Sequence, residues 1–416
     1  MSSSPFVSIV MPSLNQAQFL EASVRSVLEQ DYTRLELIIS DGMSTDGSVD
    51  LLIKLQSQFK DKIRWISQKD SGPAQAINKA IQSSQGEIIG WLNSDDVYLP
   101  GAISRAVEHF SQQKTHQMVY GLASYIGLNG ESLGSYPTKP PSTPLDDFAN
   151  GSFICQPTVF VRRKAIENVG LLDESIATAF DFDWFIRFFK RYPRRIGIIR
   201  RLQAASRLHP TCLTQRMRRQ VAIDAMKVVT QHLAEVPDHW FWTHIDEICE
   251  AYPFGPDQQP LLKQLEIFLK EAKVFYSPDA LKKIIERLKS DYRFGLNSAE
   301  LYATVQPDGW VSKQVVVKYR WNEKPATAVL MTCNAAWPEP GVMKLKVSLP
   351  DGHIQRSEVE APAQFVLRLE VPPVETSGFI SWTVEALQGF VPAKHNKSSD
   401  DDRKLSFRVS SLKLEA

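Results

Sequence analysis

The sequence lacks the features that identify several common classes of protein. Four cysteines are scattered without a Cys-x-x-Cys spacing: Cys155, Cys212, Cys249 and Cys333. This pattern disfavours a disulfide framework or a structural zinc site and suits a reducing compartment. The first five residues have no signal-peptide character, and no uninterrupted apolar run approaches membrane-spanning length. We therefore expect a cytoplasmic protein, which could still contact the inner face of a membrane.

Two phosphate-binding motifs are also missing. Neither Gly-x-Gly-x-x-Gly nor Gly-x-x-x-x-Gly-Lys occurs, so any phosphate would have to be neutralised by a metal ion or by basic side chains. The 48 Lys and Arg residues nearly balance the 47 Asp and Glu residues, which argues against a nucleic-acid binder and an acidic tail. A chain of 416 residues is long enough for two domains. Its hydrophobic content of 43% is ordinary for a soluble globular protein.

What is present, from residue 6 to about residue 122, is an alternation of short apolar runs with amphipathic stretches. The predicted strands are 6–11, 35–40, 62–66, 87–92 and 117–120. The predicted helices are 17–29, 48–59, 74–81 and 99–110. This order is typical of an α/β fold, a mainly parallel sheet covered by helices. Ligands of such sheets bind beyond the carboxyl ends of the strands.

The fourth predicted strand ends in Trp91-Leu92-Asn93-Ser94-Asp95-Asp96. Two adjacent carboxylates are costly to hold together unless a positive charge faces them, and a divalent cation carrying substrate phosphates is one candidate. Taken alone, these residues favour an Asp-rich turn that caps the following helix. However, polar loops at 12–15, 40–47 and 67–73 close the other strands at the same edge. Together these loops predict one polar, metal-capable crevice.

Motifs in the first half of the chain occur in the order found in a known family. They are residues 7–15, 26–30, 41–47, 78–80, 86–96, 156–163, 170–174 and 181–187. Residues 7 to about 215 resemble family 2 glycosyltransferases, which are inverting, nucleotide-sugar-dependent enzymes with the GT-A fold. The resemblance implies that fold and that activity.

The resemblance also implies a nucleotide-sugar pocket. Asp41 would accept a hydrogen bond from the base. Asn93 stands where the family's Asp-x-Asp motif has its first acid, so it could bond ribose hydroxyls but adds no charge. Asp46 would shape the same pocket or merely cap the helix from Ser48. The candidate nucleotide-sugar-binding residues are Pro12, Ser13, Asn15, Asp41, Asp70, Gly72, Asn78, Asn93, Ser94 and Asp95.

The same resemblance implies a metal site and a catalytic general base. Asp95 and Asp96, with His209, would hold Mn²⁺ or Mg²⁺ on the donor diphosphate. Asp181 matches the family's general base, which takes the proton of the attacking acceptor hydroxyl. Phe180 replaces the usual acid before it, which would raise the base's pKa by desolvation.

Three further residues of this region carry expectations of their own. Ile77 stands where many family members have Arg, so one cation that could pair with the donor is missing. Asp183 is expected to be structural, because residues i and i+2 of a helix do not share a face. Trp184 is expected in the core rather than against a sugar.

A basic stretch runs from Arg187 to Arg219, with no acidic residue between Asp183 and Asp224. It could steer the donor, bind an anionic or lipid-linked acceptor, or contact an anionic membrane peripherally. Some of these residues would simply form a solvated helix face. Nucleic acid is disfavoured because aromatic residues do not alternate with the bases.

The rest of the chain changes character twice. Residues 222–298 read as helices, and residues 299–416 show short alternating strands that predict a β-sandwich. Asp308-Gly309-Trp310, Phe390-Val391-Pro392 and 401–405 resemble an accessory β-domain attached to bacterial glycosyltransferases. Its tryptophans, Trp310, Trp337 and Trp382, could stack on sugars or fill the core. The predicted domains are therefore 1–221 (catalytic), 222–298 (helical) and 299–416 (β-sandwich).

The resulting hypothesis is an inverting glycosyltransferase. It would move sugar from a nucleoside-diphosphate sugar to a glycan or lipid-linked acceptor in polysaccharide or cell-surface glycan synthesis. Two alternatives stay open. A nucleotidyltransferase would also place metal and nucleotide at the strand ends. A non-catalytic carbohydrate-binding or scaffold protein would explain Asn93, Phe180 and Ile77.

Overall fold

A computed structural model describes most of the chain. The described residues are 4–233, 235–251, 259–290, 301–303, 305, 310–320, 326–335, 337–372, 379–389 and 404–415. They belong to two compact units, Met1–Pro237 and Asp238–Ala416. The division into 1–221, 222–298 and 299–416 stays a prediction.

Nine strands of the N-terminal unit form one sheet in the order β3-β2-β1-β4-β8-β6-β9-β5, and β7 pairs with β6. The strands are β1 (Val7–Ser13), β2 (Leu35–Asp41), β3 (Ile63–Ser67), β4 (Ile88–Trp91), β5 (Val97–Tyr98), β6 (Met118–Ile126), β7 (Ser132–Ser135), β8 (Phe160–Arg162) and β9 (Ile196–Arg207). Strands β3, β2, β1 and β4 are parallel, whereas β8 runs antiparallel to β4 and β6. The predicted α/β fold is confirmed, with a mixed sheet.

Eight helices are described in this unit. They are α1 (Ala17–Leu28), α2 (Ser48–Phe59), α3 (Pro73–Ser83), α4 (Ala102–Gln112), α5 (Arg163–Val169), α6 (Phe180–Arg191), α7 (Leu213–Arg216) and α8 (Arg218–His232). Helix α1 buries Phe19, Leu20 and Val24 against the sheet, as its periodicity predicts. The helix predicted from residue 99 begins later because β5 first pairs with β9.

The core of this unit follows from its residue types. Strands β1 and β2 are almost entirely buried runs rich in Val, Ile and Leu. Their side chains pack with the apolar faces of α1, α2 and α4 in one cluster. The carboxyl ends of β1, β2, β3 and β4 consequently meet at one edge, where the polar loops predicted from the sequence follow the strands.

The C-terminal unit has helices followed by antiparallel strands. The helices are α9 (His239–Ala251), α10 (Gln259–Ala272) and α11 (Pro278–Ser290). The strands are β10 (Leu301–Ala303), β11 (Trp310–Val311), β12 (Gln314–Arg320), β13 (Ala328–Ala335), β14 (Gly341–Ser348), β15 (Ile354–Ala361), β16 (Ala363–Glu370), β17 (Phe379–Ala386) and β18 (Phe407–Glu415). They form two sheets, β10-β12-β17-β14-β15 and β11-β18-β13-β16. The C-terminal β-sandwich predicted from the sequence is confirmed as two antiparallel sheets that share one apolar cluster.

Two of the tryptophans described in this unit, Trp337 and Trp382, contribute to packing. Trp382 is 0% exposed and donates to the Glu370 carbonyl, so its sugar-stacking alternative is wrong. Trp337 is partly buried and donates to the Ser406 carbonyl. The remaining motif residues 308–309, 390–392 and 401–403 lie outside the described residues. Within the described helices of both units, none is long and apolar enough to cross a bilayer.

Candidate active site at the strand ends

The loops after β1 and β2 are bonded to each other. Asp41, 0% exposed, accepts hydrogen bonds from Ser44 Oγ at 2.5 Å and from Ser67 Oγ at 2.6 Å. Asn15 Oδ1 accepts from the Thr45 N–H at 2.8 Å. The backbone continues this contact, since the Gly42 N–H donates to the Ser13 carbonyl at 2.8 Å. Asp41, Asn15, Ser13 and the adjoining Pro12 are thus brought together.

Asp46 lies at the start of two helices. Its Oδ2 accepts from the Ala17 N–H at 2.8 Å, where α1 begins, and its Oδ1 accepts from Ser48 Oγ at 2.6 Å, where α2 begins. Burial alone would raise the pKa of Asp46, but these hydrogen bonds lower it. The structure therefore gives Asp46 a helix-capping role.

The residues predicted after β3 divide into two groups. Asp70 Oδ1 accepts from the Gly72 N–H at 3.0 Å, and a Cβ on Gly42 would lie 3.0 Å from Asp70 Oδ2, so this loop reaches the Asp41 loop. Gly72 has φ 139°, which favours glycine. Asn78, by contrast, is buried, and its amide bonds both backbone groups of Leu172. The structure does not bring Asn78 together with the other predicted residues.

The turn after β4 is held by Asn93. Its Oδ1 accepts from Trp91 Nε1 at 2.8 Å, and its amide donates to Gln156 Oε1 at 3.0 Å and Asp96 Oδ2 at 3.3 Å. Gln156 in turn donates to the Trp91 carbonyl at 2.7 Å. Both polar ends of Asn93 therefore hold the turn that carries the buried Ser94 and the acidic pair.

Asp96 is the buried member of that pair, at 3% exposed. Burial, and then the charge of Asp95, raise the pKa of Asp96 to about 8. The Arg207 N–H donates to Asp96 Oδ1 at 2.8 Å, which partly offsets the shift. Holding Asp95 and Asp96 together therefore costs free energy, and a bound cation would lower that cost.

Arg207 organises this turn, a role that the sequence did not reveal. Its guanidinium donates to the carbonyl oxygens of Asp95 and Gly127, both at 2.9 Å, and lies 4.9 Å from the centre of the Phe19 ring. No local sequence pattern signals this role, because the carbonyl oxygens that Arg207 bonds lie far away along the chain.

His209 contacts Asp95 directly. Its Nε2 lies 3.0 Å from Asp95 Oδ2, and its Nδ1 lies 2.9 Å from Thr211 Oγ1. The Asp95 side chain is 16% exposed and thus open to a ligand. Across the described ranges, no group of three or more His, Cys, Asp or Glu side chains has metal-holding geometry. The residues fit an ion that takes one or two carboxylates and completes its shell with phosphate oxygens.

Asp181 lies in the first turn of α6. Burial raises the pKa of Asp181 to about 6. The Phe182 N–H of the same turn donates to Asp181 Oδ1 at 2.8 Å and offsets part of this rise. Phe180 stacks on Trp91, with ring centres 5.7 Å apart, and so ties the start of α6 to the end of β4. After burial, the charges of both Asp96 and Asp181 raise the pKa of Cys155, so this thiol lies near both carboxylates.

Three residues of the basic stretch 187–219 make contacts within the N-terminal unit. Arg187 pairs with Asp183 at 2.8 Å, Lys190 donates to the His232 carbonyl at 2.7 Å, and Arg207 is interior. Arg200 and Arg201 are exposed where the pairing of β9 with β6 slips in register. The predicted membrane contact stays a prediction.

An open cleft of about 390 Å³ adjoins His209. Its lining residues are Leu208, His209, Pro210, Gln215 and Arg218. His209, which lines this cleft, also contacts Asp95 of the acidic turn.

Part of this chain is similar in sequence to known glycosyltransferases. The model of the family described as Glycosyl transferase family 2 matches residues 8–170. An uncharacterised glycosyltransferase of Nostoc sp. is 30% identical over 175 residues, covering 40% of this chain and 54% of the relative. A putative teichuronic acid biosynthesis glycosyltransferase of Bacillus subtilis is 30% identical over 161 residues, covering 38% and 63%.

Among solved structures, S. aureus TarS residues 1–349 in complex with UDP-GlcNAc aligns with a TM-score of 0.46 and 17% identity, covering 64% of this chain and 81% of that one. This chain spans less than two thirds of the length of the curated relatives that it matches.

Proposed function

We propose that this chain, whose residues 8–170 belong to glycosyltransferase family 2, transfers a sugar from a nucleoside-diphosphate sugar to a hydroxyl of a glycan or lipid-linked acceptor, with inversion. The family match supports glycosyl transfer, and the teichuronic acid relative supports a role in polysaccharide synthesis. The observation that carries the mechanism is Asp181, a partly buried carboxylate whose pKa is raised to about 6 by desolvation.

The proposed roles follow the chemistry of each residue. The Asp41 and Asn15 loops hold the nucleotide, and Asp70 borders them. Mn²⁺ or Mg²⁺, when bound, would stabilise the charge that develops on the leaving diphosphate. Asp95 would hold that ion, with Asp96 and His209 beside it. Asp181 accepts the proton of the acceptor hydroxyl as the new glycosidic bond forms, and its pKa suits a base near neutral pH.

A thermal-shift panel of nucleoside diphosphates and their sugars, with and without Mn²⁺, tests donor binding. A selective increase in Tm with one base, larger with Mn²⁺, is expected, because a ligand that binds only the folded state stabilises it. Identical responses to all nucleotides would contradict the proposed pocket.

Product analysis tests the reaction class. Release of free nucleoside diphosphate is expected, whereas pyrophosphate would indicate a nucleotidyltransferase. Absence of metal-dependent turnover with every donor would favour a non-catalytic carbohydrate-binding or scaffold protein. The anomeric configuration of the product, read by NMR, tests inversion.

A further inference from the structure

Helix α8 packs against α6, the helix whose first turn carries Asp181. The two helices are joined by polar contacts as well as by apolar packing. Sequence periodicity gave no sign of this arrangement, because the acids and bases involved are far apart along the chain. Two of these contacts lie on either side of Asp181, one before it and one after it.

The first contact precedes Asp181 by three residues. Asp224 of α8 is 4% exposed, and its Oδ2 accepts from the Thr178 N–H at 2.9 Å and from Thr178 Oγ1 at 2.8 Å. Its other oxygen accepts from Gln220 Nε2 at 2.8 Å. A buried carboxylate that loses such donors is left unsatisfied, so this contact fixes the chain that enters α6.

The second contact follows Asp181 by two residues. Asp183, 1% exposed, lies with its Oδ1 2.7 Å from His232 Nε2 and its Oδ2 2.8 Å from Arg187 Nε. Lys190 of α6 donates to the His232 carbonyl at 2.7 Å, so the end of α8 is bonded to α6 twice. Asp183 is therefore structural, as its spacing predicts.

Asp181 itself is positioned by its helix. Its Oδ1 accepts a hydrogen bond from the next residue of the same turn, the Phe182 N–H. Its place relative to the end of β4 consequently depends on how the first turn of α6 is held. We propose that α8 positions Asp181 for proton transfer through the α8 contacts, Asp224 with Thr178 and His232 with Asp183. This inference rests on the proposed function.

Thr178→Val tests the inference, because it removes the hydroxyl donor at nearly constant volume. We expect kcat to fall about 10- to 100-fold with the donor KM unchanged, since a small misplacement of a reacting group has effects of that size. The acidic limb of the kcat pH profile should shift as well. Thr178→Ser, which keeps the hydroxyl, should have a kcat within about threefold of the wild-type value.

Two more variants complete the design. Asp224→Ala removes the first contact entirely and should lower kcat further. Thr230→Val is the matched control, because Thr230 lies on α8 but its hydroxyl donates to the Met226 carbonyl of its own helix. Its kcat and pH profile should match those of the wild type. Wild-type kcat in Thr178→Val, or an equal loss in Thr230→Val, would overturn the inference.

Amide hydrogen exchange separates this inference from the proposed function. Residues 179–184 should exchange faster in Thr178→Val than in wild type or Thr230→Val, whether or not transfer is observed. If the wild type transfers no sugar, the proposed function fails while the exchange result still tests the α8 contacts. Unchanged exchange in both Thr178→Val and Asp224→Ala would overturn them.

Discussion

The two units differ in what they bury. The described part of the N-terminal unit buries many polar or charged side chains, among them Ser8, Glu36, Asp41, Asn78, Asp96, Gln156, Asp183, Arg207, His209 and Asp224. The described part of the C-terminal unit buries only His244 and Ser406. Buried polar groups cost free energy unless they are bonded, so their concentration marks where geometry is specified at the expense of stability.

The C-terminal unit is organised by packing instead. Trp382, Tyr319 and Phe407 are 0% exposed and belong to one apolar cluster between its sheets. Apolar contacts have little directional preference, so they stabilise without fixing a reactive group. We therefore expect substitutions in the N-terminal unit to change activity more than stability, and the reverse in the C-terminal unit.

Asp181→Asn should have the largest effect on activity. It keeps the shape of the side chain but removes the proton acceptor, so kcat should fall about 10²- to 10⁴-fold. Donor binding measured by calorimetry should be unchanged. In the wild type, kcat should rise with pH through about 6, because a base must be deprotonated to act. A variant with wild-type kcat would exclude Asp181 as the base.

Trp382→Ala should have the largest effect on stability. Removing this buried ring should lower the free energy of unfolding of the C-terminal unit by about 3–5 kcal/mol, measured in urea. Nucleotide binding by the N-terminal unit should persist. Trp382→Phe is the control and should destabilise less. Loss of nucleotide binding in a folded Trp382→Ala variant would break the contrast between the units.

Asp95→Ala and Asn93→Ala should distinguish the proposed metal ligand, Asp95, from Asn93, which holds the turn in place. Asp95→Ala should abolish the Mn²⁺-dependent part of donor binding. Asn93→Ala should weaken donor binding about tenfold while metal dependence remains, because Asn93 bonds Asp96 and Gln156 rather than supplying charge. Calorimetry with and without Mn²⁺ measures both. Equal losses would show that the turn acts as a unit.

The sequence predicted the secondary structure of the N-terminal unit better than it predicted the geometry of the candidate site. Hydrophobic periodicity located α2 and the strands β1 to β4 within about two residues, because one buried face repeats along each element. Strands β5 and β8 were missed, since two or three residues carry no period. The candidate site residues were predicted from motifs, but the hydrogen bonds that hold them in place were not. Arg207, Gln156 and Asp224 act through long-range contacts that no local pattern encodes.

Asp96→Asn should have the smallest effect, and it should stabilise the protein rather than impair it. The pKa of Asp96 is raised from 3.8 to about 8, so the folded state prefers the neutral carboxyl. Stability from this group is complete below the unfolded pKa and is lost as pH rises through about 8. The neutral amide avoids that loss. Without metal, Tm should therefore rise by about 2–4 °C above pH 8 and change little near pH 4.

Calorimetric scans from pH 4 to pH 9 measure the stability effect of Asp96→Asn. Asp61→Asn, at an exposed position in the same unit, is the matched control and should leave Tm nearly constant at every pH. A lower Tm for Asp96→Asn throughout this range would mean that the hydrogen bond from the Arg207 N–H contributes more than the buried charge costs. The acidic turn would then be stabilising even without a cation.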